Sequence, residues 1–354
     1  SDAPVVEKSP LKSGPATERV VVVIIDSMGE RNGNDPQLMP KLATLNQNTL
    51  SGPQESCVAN FTLPCLLTTF EGRESPFLKA LDNFSASAST HPNWIQSMRN
   101  KGSRIAIVSD HTLLQLYPQS FVIGENYEAL KLPQDQRDKH AFERGLNWVK
   151  NREHDVIIVH VVGTDKASHR YHPGTPEYRK AFGDADEFVG QLTNLLDFKK
   201  DSLLVLGDHG HDDGGHHNRK AWYAMAGPHV TRQELKVNQS SLFYLLSRVT
   251  GVPLPPEYEG SLLWTAFNDN ESESSWRTTQ AKAWDLQEDS RETLNQERER
   301  RAEERTQRPL KNALNFLPWW LNLAFILSAL TRLFQSKIEL QKGFLRGQIL
   351  WMTA

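Results

Sequence analysis

The sequence is poor in cysteine and has no large excess of charge of either sign. Among its 354 residues only Cys57 and Cys65 are cysteines, too few for a disulfide framework or a cysteine-based zinc site. The two thiols can form one local bridge or none, so they leave the redox compartment open. A formal net charge of −3 at pH 7 argues against a nucleic-acid polymer held by bulk charge.

Two apolar runs predict buried strands that end at a carboxylate or a glycine. Val20–Ile25 is six consecutive β-branched residues, which suits a strand buried on both faces, and Asp26 follows it directly. Leu203–Leu206 is a second such run and ends at Gly207. Because ligands of open α/β sheets bind beyond the carboxyl ends of strands, Asp26 stands where a ligand would bind. The alternative is that Asp26 caps the next helix.

The segment 207–217 combines metal-binding side chains with glycines. Its 11 residues contain three Asp, four His and four Gly. Asp and His together suit a divalent metal of the zinc or manganese type, and glycines let the backbone approach a ligand closely. The alternative is a polar surface loop that is rich in histidine.

A second Asp/His pair follows a third predicted strand, residues 155–162. Asp165 and His169 are four residues apart, so one helical turn brings them to the same face. A second pair at a second strand end favours a metal site over a chance accumulation of polar residues.

Thr62 stands at a predicted helix start. The segment 60–72 begins with Thr62 as a candidate N-cap and has Pro64 in the first turn. A hydroxyl there faces the positive helix end, which favours an anionic substrate or an alkoxide. Helix capping alone is the alternative explanation.

Strand and helix patterns alternate from Val20 to Leu254 and predict an α/β fold, a doubly wound, mostly parallel sheet with helices on both faces. Predicted helices that cover the sheet include Pro40–Leu50, His140–Asn151, Pro176–Phe198 and Ser240–Arg248.

Seven donors at strand ends and helix starts suffice for two metal ions with three or four protein ligands each. They are Asp26, Thr62, Asp165, His169, Asp208, His209 and one of His216 or His217. Two such ions clamp the attacking and leaving oxygens of an in-line phosphoryl displacement. The pattern thus predicts two divalent ions, Zn²⁺ with Mn²⁺ as the alternative, and Thr62 as a nucleophile.

These motifs resemble those of the alkaline phosphatase superfamily, in its nucleotide pyrophosphatase/phosphodiesterase branch. The similarity is closer still to the ethanolamine-phosphate transferases of glycosylphosphatidylinositol anchor assembly. The resemblance extends over 19–264 and is carried by the strand that ends in Asp26, by Thr62 ten residues before Gly72, and by the segments 109–121, 165–174 and 207–210.

The resemblance implies an alkaline phosphatase-like fold and a division of the ligands. Asp26, Thr62, Asp208 and His209 would hold one metal. Asp165, His169 and His217 would hold the other, with His216 as runner-up. His211 departs from the family, which usually has an apolar residue there. A sulfatase is disfavoured because Thr62 stands where sulfatases have a modified Cys or Ser.

The region after 267 differs in composition from the rest. We expect a flexible lead-in at 1–18, a catalytic domain at 19–267, a charged helical or disordered linker at 268–311 and an apolar helical extension at 312–354. Asn312–Thr331 has 20 uncharged residues with Trp319 and Trp320, so 312–334 is expected to span or lie on a membrane, or to bind a protein partner. Positive charge after it favours an extracytoplasmic catalytic domain.

The leading hypothesis is therefore a membrane-associated phosphodiesterase or phosphoethanolamine transferase acting on a phosphodiester or a phospholipid headgroup. The alternatives are a phosphomonoesterase or mutase on the same scaffold, and a catalytically dispensable subunit of a membrane complex.

Overall fold

The structure is a computed structural model, and it describes residues 17–75, 87–268 and 270–305. Its strands are β1 Arg19–Ile25, β2 Leu50–Glu55, β3 Ile105–Ser109, β4 Ile123–Asn126, β5 Val156–Val161, β6 Asp201–Leu206, β7 Gly210–His211, β8 His217–Asn218, β9 Lys220–Ala226, β10 Gln233–Glu234 and β11 Val237–Asn238. Its helices are α1 Glu30–Gly33, α2 Pro40–Asn46, α3 Thr62–Glu71, α4 Trp94–Asn100, α5 His111–Leu116, α6 Gln134–Asn151, α7 Gly163–Arg170, α8 Pro176–Leu195, α9 Leu242–Thr250 and α10 Asn270–Ala283. A further helix occupies 291–305.

One large sheet organises the described residues, in the order β4-β3-β5-β1-β6-β9-β2, and β10 and β11 both pair with β2. The strands from β4 to β6 are parallel, whereas β9 runs antiparallel to both β6 and β2. The predicted mostly parallel α/β sheet is therefore confirmed. Because β1 pairs in parallel with β5 on one side and β6 on the other, the segments that follow these three strands meet at one edge.

The alternation of side chains along β1 divides the core into two layers. Val20, Val22 and Ile24 belong to the layer that contains apolar residues of α3, α4 and α9. Val21, Val23 and Ile25 belong to the other layer, with residues of α2, α6 and α8. Helices on both faces explain why β1 is apolar at every position from Val20 to Ile25 rather than at every second one.

All four helix predictions need correction at their ends. The helix predicted over Pro40–Leu50 ends at Asn46, because Leu50 already begins β2. The helix predicted from His140 begins at Gln134 instead. The helix predicted over Pro176–Phe198 ends at Leu195, and the one predicted over Ser240–Arg248 is Leu242–Thr250. All these differences lie at element ends, where pairing with a neighbouring strand or helix overrides local preference.

The expected linker at 268–311 includes helix α10, and Trp276 of α10 is buried in the same core layer as α9. One compact unit ends at Arg298, and a second begins at Glu299, of which 299–305 are helical. Among the described residues, no helix combines the length and apolar character that a membrane crossing requires. The expected lead-in, up to residue 16, and the apolar extension at 312–354 lie outside the described residues. The domain boundaries stay predictions.

Candidate metal centre and nucleophile

Asp26, Asp208 and His209 lie together at the carboxyl edge of the sheet, and we call them the buried cluster. Asp26 follows β1, and Asp208 and His209 follow β6. His209 Nε2 lies 3.5 Å from Asp26 Oδ1 and 3.4 Å from Asp208 Oδ2. Gly207 allows this approach, since a Cβ there would lie 2.2 Å from the carbonyl oxygen of Met28.

The buried cluster contains polar atoms without partners. Asp26 Oδ1, Asp208 Oδ2 and His209 Nε2 are buried and accept or donate no hydrogen bond within the described part of the chain. Burial raises the pKa of Asp26 well above its ordinary value, and the charges of Asp208 and Asp165 raise it further. A divalent cation would supply the missing partner and offset the repulsion, so this donor set fits a metal ion.

The backbone beside Asp26 fixes the carboxylate of Asp208. The amides of Ser27 and His209 donate to Asp208 Oδ1 at 3.0 and 2.9 Å, which leaves Oδ2 directed at His209 Nε2. Ser27 has a positive φ of 64°, unusual outside glycine. Its hydroxyl donates to Asp165 Oδ1 at 2.7 Å. Ser27 was not predicted as a site residue, because a serine after a strand carries no signal of its own.

Thr62 is the first residue of α3 and lies beside the buried cluster. The structure makes Phe61, not Thr62, the N-cap, so the capping role proposed for Thr62 is wrong. The Thr62 hydroxyl instead donates to Asp26 Oδ2 at 3.4 Å. It stands at the positive end of a ten-residue helix, where negative charge is stabilised.

A disulfide encloses Thr62. Cys57 and Cys65 are bridged, so of the two alternatives left open by the sequence the structure has the local bridge. The loop it closes contains Asn60, whose carbonyl oxygen lies 2.9 Å from His217 Nδ1. The bridge therefore restrains the segment that presents Thr62 and contacts His217.

Asp165, His169, His211 and His217 form a second group, which we call the rim cluster. Asp165 and His169 lie on α7, one turn apart as predicted, and His211 and His217 lie on β7 and β8. Nε2 of His169 is 3.0 Å from Nε2 of His217 and 3.5 Å from Asp165 Oδ1. His169 is half exposed, with 45% of its side-chain surface accessible.

The structure brings His217 into the rim cluster and directs His216 away from it. His217 Nε2 lies 3.6 Å from Asp165 Oδ1. The side chain of His216 is 81% exposed, and its Nδ1 lies 3.3 Å from Asp212 Oδ2. The seven sequence-predicted donors with His217 therefore all lie in or beside the two clusters.

His209 and His211 are held in the neutral form that binds metals. Burial lowers the pKa of His209 to about 3, and the neighbouring His217 contributes. Burial likewise lowers the pKa of His211 to about 2, with contributions from His209 and His217.

A buried histidine of β5 lies behind Asp26. Nε2 of His160 is 3.4 Å from Asp26 Oδ2, and its Nδ1 is 3.4 Å from Asp110 Oδ1. Burial alone would lower the pKa of His160, but the neighbouring carboxylates of Asp110 and Asp26 raise it well above the ordinary value. His160 was not predicted either, although a single histidine inside an apolar strand is a signal for such a role.

Comparison with known proteins gives a family and a fold. The model of the type I phosphodiesterase / nucleotide pyrophosphatase family matches residues 82–308, a range that leaves out Asp26 and Thr62. A murine relative, the catalytic subunit of GPI ethanolamine phosphate transferase 3, is 26% identical over 293 residues, which are 72% of this chain and 26% of the relative. The human catalytic subunit of GPI ethanolamine phosphate transferase 2 is 24% identical over 277 residues, 71% of this chain and 28% of the relative. The chain thus spans about a quarter of the length of these relatives.

Solved structures show the same fold. Murine ectonucleotide pyrophosphatase / phosphodiesterase 5, in an inactive form bound to AMP, has a TM-score of 0.54 at 12% identity and covers 71% of this chain and 100% of its own. The lipoteichoic acid synthase from Listeria monocytogenes has a TM-score of 0.51 at 14% identity, over 67% of this chain and 73% of its own. Such similarity shows an alkaline phosphatase-like fold, as the sequence motifs implied.

Proposed function

We propose that this chain, which belongs to the type I phosphodiesterase / nucleotide pyrophosphatase family, transfers a phosphoryl group from a phosphodiester by way of Thr62. The observation that carries the proposal is the position of the Thr62 hydroxyl, 3.4 Å from Asp26 Oδ2 and beside three buried polar atoms that lack partners in the described chain. A hydroxyl at a helix N-terminus next to such a donor set is suited to nucleophilic attack on an anionic phosphorus centre.

Two metal ions fit the donors. The buried cluster with Thr62 would hold one. Asp165, His169 and His217 of the rim cluster would hold the other. Donor atoms of Asp165 and His217 also lie close enough to those of His209 and His211 to share one ion. When bound, divalent ions supply positive charge that favours the ionised threonine and stabilises the phosphoryl oxygens. Zn²⁺ is the ion we propose, because imidazole and carboxylate donors suit it, with Mn²⁺ as the alternative.

The chain's own residues carry the chemistry in two displacements. In the first, Thr62 Oγ1 forms a bond to phosphorus as the bond to one ester oxygen breaks, and the hydroxyl proton passes towards Asp26 Oδ2. The departing alcohol or alkoxide carries away the electron pair of the broken bond. In the second, the oxygen of water or of an acceptor hydroxyl forms a bond to phosphorus as the bond from phosphorus to Thr62 Oγ1 breaks, and the proton that this oxygen gives up restores the threonine hydroxyl. The acceptor decides whether the reaction is hydrolysis or transfer.

The relatives suggest the substrate class. Both aligned catalytic subunits are named as GPI ethanolamine phosphate transferases. We propose a phosphodiester with an ethanolamine-type headgroup, such as a phospholipid supplies, as the donor. The buried disulfide favours an oxidising, extracytoplasmic compartment for the catalytic domain.

Membrane association through 312–334 remains part of the proposal. Sedimentation with phospholipid vesicles compares the full chain with a chain that ends at residue 311. We expect only the full chain to sediment; equal sedimentation of both would contradict this part of the proposal.

The test of the chemistry compares Thr62→Ala with Thr62→Ser in protein purified without chelator. We expect wild type to cleave a diester such as bis-p-nitrophenyl phosphate faster than the monoester. Thr62→Ala should lose at least about 10⁴-fold in kcat, as loss of a nucleophile does, while Thr62→Ser keeps part of the activity. Mass spectrometry of wild type, acid-quenched during turnover of this diester, should show a p-nitrophenyl phosphate group on Thr62.

Three outcomes would contradict the proposed reaction. Preference for the monoester would favour a phosphomonoesterase or mutase. Unchanged diester cleavage in Thr62→Ala would contradict the nucleophile. Absence of any phosphatase or diesterase activity in metal-loaded wild type would favour a catalytically dispensable subunit.

A further inference from the structure

His211 occupies a position that neither the sequence motifs nor the proposed ligand sets account for. It lies on β7, next to the Gly-Asp-His-Gly segment 207–210, and only 4% of its surface is exposed. Its Nε2 lies 3.4 Å from Nε2 of His169 and 3.7 Å from Asp165 Oδ1. A histidine ring so placed points its nitrogen at the centre of the rim cluster.

The spacing of donor atoms in the rim cluster matches a tetrahedral metal site. A zinc ion with bonds of 2.0–2.1 Å to four tetrahedral donors sets those donors about 3.3–3.4 Å apart. Five of the six separations among these donors are 3.0 Å for His169 to His217, 3.4 Å for His169 to His211, and 3.5, 3.6 and 3.7 Å from Asp165 Oδ1 to His169, His217 and His211. All five scatter about that edge length.

The register of a small hairpin puts His211 there. β7 pairs antiparallel with β8, and His211 is directly opposite His217. Directly opposed residues project from the same face of a strand pair, so both rings reach the same point. Two strands of two residues are marginal in water without further support. Ligands on the hairpin and on α7 would let one ion tie these elements together.

We propose that His211 is the fourth protein ligand of the second metal. A fourth ligand slows the exchange of that ion with the solvent. This inference rests on the proposed function, since it presupposes a metal at the rim cluster. Four protein ligands are typical of structural zinc sites, whereas catalytic sites keep an open position. The rim metal would then fix α7 and the β7–β8 hairpin beside the buried cluster.

The test is a metal-binding comparison of wild type with His211→Ala and His211→Gln, with His216→Ala as the matched control. Zn²⁺ affinity is measured by competition with a chromogenic chelator. The visible absorption of the Co²⁺-loaded protein reports coordination number. We expect wild type and His216→Ala to bind two ions. In both His211 variants, the Zn²⁺ affinity of one site should fall. The fall should exceed the roughly 10–100-fold that loss of an outer-shell partner costs.

Thermal melting of the chelator-treated proteins separates ligation from folding. The His211 variants should melt like wild type without metal and gain less stability from Zn²⁺ than wild type does. Two tightly bound ions in both variants, with an unchanged Co²⁺ spectrum, would overturn the His211 assignment alone. Variants that already melt lower without metal, and gain as much from Zn²⁺ as wild type, would likewise show a packing role instead. Wild type that binds no metal would overturn the proposed function together with the assignment.

Discussion

The buried cluster and the rim cluster both consist of Asp and His side chains, but they lie on different secondary-structure elements. Asp26, Asp208 and His209 follow the central strands β1 and β6, and none is more than 2% exposed. The rim cluster lies on an eight-residue helix and a hairpin of two-residue strands. The large sheet fixes the donors of the buried cluster. The positions of the rim-cluster donors depend on α7 and the β7–β8 hairpin, which a bound ion would stabilise. The comparison predicts that loss of a buried-cluster donor lowers activity more than loss of a rim-cluster donor.

The largest effect is expected from Asp26→Asn. Because it removes a donor beside Thr62, kcat should fall by roughly 10⁴-fold or more, as it does when a member of a catalytic unit is lost. Without metal, the same change should stabilise the protein near neutral pH. Burial and repulsion raise the pKa of Asp26 above 3.8, so its contribution to stability in wild type is lost as pH rises through the raised pKa.

Denaturant unfolding in chelator checks this sign. We expect the stability of wild type, but not of Asp26→Asn, to decline over the pH range between the ordinary and the raised pKa, by about 1.4 kcal/mol for each pH unit in that range. If the free energy of unfolding varies with pH in the same way in both proteins, burial and the neighbouring charges do not destabilise the ionised form of Asp26.

A smaller loss is expected from His169→Ala in the rim cluster. Because the side chain is 45% exposed and its contacts within the described part of the chain do not include the Thr62 hydroxyl, we expect activity to fall by about 10–100-fold. Excess Zn²⁺ should restore much of it, because mass action refills a weakened site. Assays over a Zn²⁺ series measure the recovery; a loss as deep and as irreversible as that of Asp26→Asn would erase the distinction between the clusters.

Removal of the disulfide should reduce the stability of the fold and leave the number of bound metal ions unchanged. Cys57→Ser opens a short loop, which in the chain-entropy treatment costs about 2–3 kcal/mol. Activity should fall several-fold because the loop holds Asn60 and Thr62, while both metals remain bound. Melting and metal analysis with and without dithiothreitol check this, since the reductant should change wild type and leave Cys57→Ser unaffected. A variant that loses a metal would show that the bridge supports a cluster directly.

The smallest effect is expected from His216→Ala. Its ring is 81% exposed and pairs with Asp212, so we expect kcat/KM and metal content to stay within about twofold of wild type, as for most exposed positions. Steady-state kinetics and metal analysis suffice. A loss comparable to that of His169→Ala would return His216 to the ligand set.

The sequence predicts the buried cluster better than the rim cluster for a physical reason. Val20–Ile25 and Leu203–Leu206 are continuous apolar runs, so their ends, and hence Asp26 and Asp208, could be placed before any contact was known. The choice between His216 and His217 could not be made this way. His216 precedes β8, and only the pairing of His217 with His211 determines which of the two histidines faces the rim cluster.

The missed features share a dependence on tertiary pairing. β2, with Gly52 and Pro53 inside it, has no strand pattern and is extended because it pairs with β9. Ser27 acts through its unusual φ and its contacts with Asp165 and Asp208, which lie more than 130 residues away. Such contacts leave no periodic signal in a single sequence.

The most direct measurement of the central claim is anomalous diffraction at the zinc edge from crystals of protein purified without chelator. We predict two peaks: one within bonding distance of Asp26, Asp208, His209 and Thr62, and one within bonding distance of Asp165, His169 and His217. No peak at either cluster, or a peak at the rim cluster alone, would contradict the claim.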